Sequence, residues 1–191
     1  MPIKSTAAPS SHGESPFLIR HRNFAEAWEA FAEKQQAAIG GKYNAYHADF
    51  DLEGQLLAYP CVLHGHQKLT SVASGLIPVQ ARYVEETSIV VETQNPTSLT
   101  FSLRKSTLPR RLSGYQEWGG KNQFVLKASH QEDARQVLNA HDWEAYLETR
   151  EFHEITLTKE GTLRIKFFHF INSGVALAEF WRKVEGLVKK L

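Results

Sequence analysis

The chain holds a single cysteine, Cys61, and a single methionine. A disulfide framework within the chain is therefore excluded, and the lone thiol favours a reducing compartment. Neither sign of charge dominates: 22 Lys and Arg stand against 21 Asp and Glu, for a formal net charge of +1. That balance disfavours a dedicated nucleic-acid binder, whose domain is usually strongly basic. No apolar run approaches the roughly 20 residues that a membrane-spanning helix needs. The N-terminus lacks the apolar stretch of a secretory signal. Together these absences predict a soluble cytoplasmic protein. The sequence also shows no internal repeat, no regular strand–helix alternation and no recognised catalytic or cofactor signature.

What is present suits one ordered domain. The 191 residues are 42% hydrophobic and 23% charged, ordinary proportions for a globular protein. Eleven Phe, six Tyr and four Trp supply large side chains for a core. Residues 1–16 are rich in Ser, Ala, Pro and Thr and read as a disordered tail, which leaves 17–191 as a single domain.

Helix signals come first, in the middle and last. Asn23 with Glu26 reads as a cap, and Phe24, Trp28 and Phe31 follow as an apolar stripe, stopped by Gly40-Gly41. Ser129 with Glu132 reads as a capping box at a strand-to-helix joint, before the helix of Val137 and Leu138. Asp142 heads a short helix with Trp143, Tyr146 and Leu147. Ser173 caps the last helix, whose stripe is Leu177, Phe180, Trp181, Val184 and Leu187 or Val188.

Strand signals lie between them: 43–52, 61–63, 79–84, 89–93, 99–105, 124–128, 155–158 and 163–170. Asn95-Pro96 predicts a hairpin pairing 89–93 with 99–105. Glu160-Gly161 predicts a second hairpin. The order points to an α+β fold: a mainly antiparallel sheet with N-terminal, central and C-terminal helices packed on it.

Three groups of residues could carry chemistry. On a strand, His47, Asp49 and Asp51 share one face, and His64 and His66 share one face of a possible neighbour. His47, Asp49, His64 and His66 could then bind a divalent metal such as zinc, because imidazole and carboxylate suit those ions. The alternative is that they are simply polar groups on a wet sheet face. Arg104, Lys105, Arg110 and Arg111 form the densest basic segment, with Tyr115 and Trp118 nearby. Such a set can grip an acidic partner or, less in keeping with the neutral charge, single-stranded nucleic acid. Ser102 and Lys105 match a Ser-x-x-Lys pattern, but a strand turns them to opposite faces and the companion motifs are missing. Cys61, with His64 as the nearest base, sits in an apolar setting that suits a buried thiol.

The chain also resembles a loosely defined set of uncharacterised bacterial domains. The residues that carry the likeness are Trp28-Glu-Ala-Phe-Ala32 ahead of Gly40-Gly41, Pro78-Val-Gln-Ala-Arg-Tyr83, and the strand from Leu99 to Lys105. A glycine loop before Phe124-Val-Leu-Lys-Ala-Ser129 and the helix of Val137 and Leu138 complete it. Where such domains carry an aspartate before the Phe124 strand, this chain has Lys121-Asn122-Gln123. The resemblance implies no activity and transfers no site residue.

The functional expectation is a non-catalytic binding or protein-interaction module without a cofactor, its contact surface the wet sheet face with Arg104, Arg110, Arg111, Tyr115 and Trp118. The alternative is a metal-dependent hydrolase built on the His/Asp cluster. The partner would be a protein or a small ligand; oligomeric state is not readable.

Overall fold

A computed structural model describes residues 2–7, 15–71, 82–106, 116–119, 124–140 and 142–191. Among these residues the chain forms ten strands in one mostly antiparallel sheet, with four helices, an α+β architecture. The strands are β1 (Lys4–Ser5), β2 (Ala38–Tyr43), β3 (His47–Leu56), β4 (Tyr59–Ser71), β5 (Arg82–Glu92), β6 (Phe101–Lys105), β7 (Gln116–Trp118), β8 (Phe124–Ala128), β9 (Phe152–Leu157) and β10 (Thr162–Phe167). The helices are α1 (Pro16–Gln35), α2 (Gln131–Asn139), α3 (Trp143–Glu148) and α4 (Gly174–Val188). Sheet order is β1-β2-β3-β4-β5-β10-β9-β6-β8-β7. No described helix is long and apolar enough to cross a membrane.

The chain divides into two compact units. The first comprises residues 1–54, 62–87 and 168–178. In it α1 begins well before Asn23. The Ser15 hydroxyl accepts the Phe17 N–H at 3.2 Å, and Pro16 follows where a missing N–H costs nothing. Helix α1 ends before Gly40-Gly41, at Gln36, which adopts φ 54°. The two glycines instead lie in β2. Gly41 has φ 146°, and a Cβ there would come within 2.2 Å of the Asp49 carbonyl, so β2 can approach β3 only with glycine at this point.

Phe24, Trp28 and Phe31 of α1 are buried with Ala48, Phe50 and Leu52 of β3 and Leu63 of β4. Trp28 is fully buried; its ring meets Phe50 and Phe170, and its indole N–H donates to the Ile171 carbonyl at 2.8 Å. Burial of one such aromatic contributes roughly 1.5–3 kcal/mol.

The second unit comprises residues 55–61, 88–167 and 179–191. Here β9 and β10 form the expected hairpin, with Leu163 opposite Leu157 and Ile165 opposite Ile155. Strand β6 pairs with both β8 and β9. The hairpin expected at Asn95-Pro96 does not form, because β10 and β9 lie between β5 and β6. Asn95 makes a corner instead: its Oδ1 accepts the Leu99 N–H at 3.1 Å and its Nδ2 donates to the Leu99 and Thr158 carbonyls.

Ser129 is not a helix cap either. Its hydroxyl accepts the Thr100 N–H at 3.0 Å, extending the β6–β8 ladder, and His130 begins α2 without a side-chain cap. Phe167 packs edge-on against Phe180 and Phe152 in this unit's core. The apolar stripe of α4 is buried throughout.

A candidate metal centre on the open sheet face

Burial alternates strictly along β3. Ala48, Phe50 and Leu52 point into the core, while His47, Asp49 and Asp51 point outward. Strand β4 alternates in the same way, with Leu63, Gly65 and Gln67 inward and His64, His66 and Lys68 outward. The period of two gives each strand a wet face. Two residues, Leu57 and Ala58, connect β3 to its neighbour β4, a link short enough only for an antiparallel pair. Counting outward from that turn sets Asp51 across from His64 and Asp49 across from His66.

The side chains meet accordingly. His66 Nδ1 lies 3.3 Å from Asp49 Oδ1. His64 Nδ1 lies 2.7 Å from Asp51 Oδ1, and its Nε2 stands 3.6 Å from Asp49 Oδ1. The rings of His47 and His66 meet edge to face at 5.1 Å, and those of His64 and His66 stack at 6.3 Å. One ligand atom each from His47, Asp49 and His66 lies within 4.8 Å of the other two. Two donors bound to one zinc ion, at about 2.0–2.1 Å each, stand roughly 3–4 Å apart. Small side-chain rotations would therefore close the three onto an ion. His66 and Asp49 keep 28% and 32% of their side-chain surface exposed, enough for an ion to enter.

The electrostatics favour a neutral ligand at His47. Partial burial holds its ring below the ordinary imidazole range, and His66, Lys42 and Lys68 push the same way against the pull of Asp49. A metal binds the neutral ring, so less proton competition remains at neutral pH.

The structure therefore brings His47, Asp49 and His66 together. It places His64 beside them, engaged with Asp51, an acid absent from the expected ligand set. The basic group fares differently. Arg104 is exposed at the end of β6, and its guanidinium pairs with Glu154 at 3.1 Å. Trp118 is buried, with its N–H donating to Asn139 Oδ1 at 3.1 Å, so this indole supports the core of its unit and offers no face to a ligand. Arg110, Arg111 and Tyr115 lie outside the described residues. Cys61 is buried, as its apolar setting implied.

No protein-family model matches the chain, and no curated protein matches it. Among solved structures, the mycobacterial trehalose monomycolate transport factor A, TtfA, is similar in fold, with a TM-score of 0.51. The likeness covers 89% of this chain and 97% of that one at 11% sequence identity. At that identity it bears on the fold alone.

Proposed function

We propose that this chain is a non-catalytic binding module that takes a divalent transition metal on the open face of β3 and β4, held by His47, Asp49 and His66. The convergence of their ligand atoms within 4.8 Å carries this reading. Two imidazoles and one carboxylate form a nitrogen-rich set, which suits zinc and its neighbours; magnesium and calcium prefer oxygen donors. A sheet is also a rigid support, and ligands on adjacent strands hold their spacing better than ligands on a loop.

Isothermal titration calorimetry on chelator-treated protein tests the proposal. Zinc should bind one ion per chain, magnesium should give no signal, and His66→Ala should lose the zinc site. Absence of zinc binding to the wild-type protein would sink it, and would return the open face to a protein or small-ligand partner.

A second reading uses the same residues. Three protein ligands leave room for a bound water, the pattern of catalytic zinc sites. A metal-bound water can act as a nucleophile near neutral pH, which would make the chain a metal-dependent hydrolase. Zinc-dependent turnover of simple esters or phosphate esters, lost in His66→Ala, would favour it over the non-catalytic reading.

A further inference from the structure

His21 of α1 is completely buried, yet both of its ring nitrogens face polar partners. Nδ1 lies 2.5 Å from the Asn44 carbonyl oxygen, and Nε2 lies 2.8 Å from Gln67 Oε1. Gln67 Nε2 in turn donates to Glu85 Oε1, and Glu85 Oε2 accepts the Phe170 N–H at 3.2 Å. The result is an unbroken chain from the β2–β3 corner through α1, β4 and β5 to the backbone at Phe170.

Counting donors shows what the chain needs. A carbonyl oxygen only accepts, so Nδ1 must donate to Asn44. With Gln67 Oε1 turned to the ring, Nε2 must donate as well, and His21 is an imidazolium facing a Glu85 carboxylate through one amide. With Gln67 turned over, its NH2 donates to a neutral ring and its oxygen faces Glu85, which must then carry the proton. Either arrangement holds one proton more than a neutral imidazole plus a carboxylate. Without that proton two acceptors face each other and a chain that is buried at His21 and Gln67 and half-buried at Glu85 carries a net negative charge, both of which are costly. Glu85 is the charged group that these bonds bring to His21. Neighbouring Arg20 lies over the rings of Phe24 and Tyr83.

The chain also holds the corner that presents His47. The Asn44 N–H donates to the His47 carbonyl at 2.8 Å, and the Tyr46 N–H donates to Asn44 Oδ1 at 2.8 Å. The Leu69 N–H donates to the Tyr46 carbonyl at 2.8 Å. Gln67 follows His66 directly on β4, with its side chain on the buried face. Both ligand-bearing strands are thus tied from beneath to His21.

We infer that His21, Gln67 and Glu85 form a one-proton hydrogen-bonded chain, and that His21 is the positioning residue of the site. The positioning role rests on the metal reading above; the proton count does not.

Substitutions separate the two. Glu85→Gln permits a complete neutral chain: the introduced amide donates to a turned Gln67, which donates to a neutral His21. His21→Gln alone leaves an oxygen facing an oxygen or a carboxylate unless Glu85 takes up the proton. His21→Gln with Glu85→Gln restores an unbroken neutral chain. In metal-free protein at neutral pH, nitrogen-15 NMR of the His21 ring with carbon-13 NMR of the Glu85 carboxyl should locate the proton on one of them. Glu85→Gln should leave a neutral His21 with a single N–H on Nδ1. A neutral His21 beside an ionised Glu85 in the wild-type protein would overturn the proton chain.

Zinc affinity then reads the positioning role, with circular dichroism reporting the fold. His21→Gln should weaken zinc by about 10- to 100-fold, the usual effect of removing support behind a ligand. The double variant should recover most of that loss. A folded His21→Gln protein with wild-type zinc affinity, or a wild-type protein that binds no zinc, would overturn the positioning role, while the NMR result would still decide the proton chain.

Discussion

The Trp28 indole lies directly against Gly65, so closely that a Cβ on Gly65 would fall 2.5 Å from Trp28 Cζ2. The glycine between His64 and His66 is therefore a packing requirement: it lets α1 lie flat beneath the strand that carries both imidazoles. Gly65→Ala should destabilise the protein by about 1–3 kcal/mol, the usual cost of overpacking a filled core. Chemical denaturation would measure the loss. A stability unchanged within about 0.5 kcal/mol would mean that Trp28 yields freely.

The ligand set makes graded predictions. Removing any one of His47, Asp49 or His66 by substitution with alanine should abolish stoichiometric zinc binding. His64→Ala should act more mildly, by about 10- to 100-fold in affinity, because His64 steadies Asp49 from beside the ion and Asp51 steadies His64. Equal losses at His64 and His66 would make His64 a fourth ligand.

His47 should titrate below the 6.5 of an ordinary imidazole in metal-free protein. Well above pH 6.5 the ring is neutral whether the chain is folded or not, so it has no effect on stability. As the pH falls, the unfolded ring takes its proton first, and folding is progressively disfavoured until the folded ring is protonated too. His47→Gln should remove that part of the acid destabilisation. Proton NMR of the ring across about pH 4–8 gives the midpoint; a value above 6.5 would contradict the account.

Trp118 makes a separate prediction for its own unit. Asn139→Ala removes the acceptor of the buried indole N–H and should cost about 1–3 kcal/mol, with a change in tryptophan fluorescence. Zinc binding should remain. A variant as stable as the parent would show that the indole finds another acceptor.

The alternation of β3 made the outward placement of His47, Asp49 and Asp51 legible, since a strand's period of two depends on nothing beyond itself. The adjacency of β3 and β4 was not legible. Their turn is Leu57-Ala58, without glycine or asparagine, although Leu57 adopts φ 61°. Ser129 misled because a capping box is a local pattern, whereas its hydroxyl is taken by Thr100, 29 residues away and just ahead of β6. Asn95-Pro96 misled for a related reason: a turn signal says that the chain bends, and the neighbour it reaches depends on where β9 and β10 insert. His21 gave no signal at all. It stands between Arg20 and Arg22 like a surface residue, and only the fold supplies Asn44, Gln67 and Glu85 to its two nitrogens.

The most direct measurement is anomalous diffraction at the zinc edge from crystals of chelator-treated protein soaked in zinc. The account predicts a peak about 2 Å from one ring nitrogen of His47, one of His66 and an oxygen of Asp49. A peak elsewhere with these three side chains unengaged, or no peak at all, would contradict it.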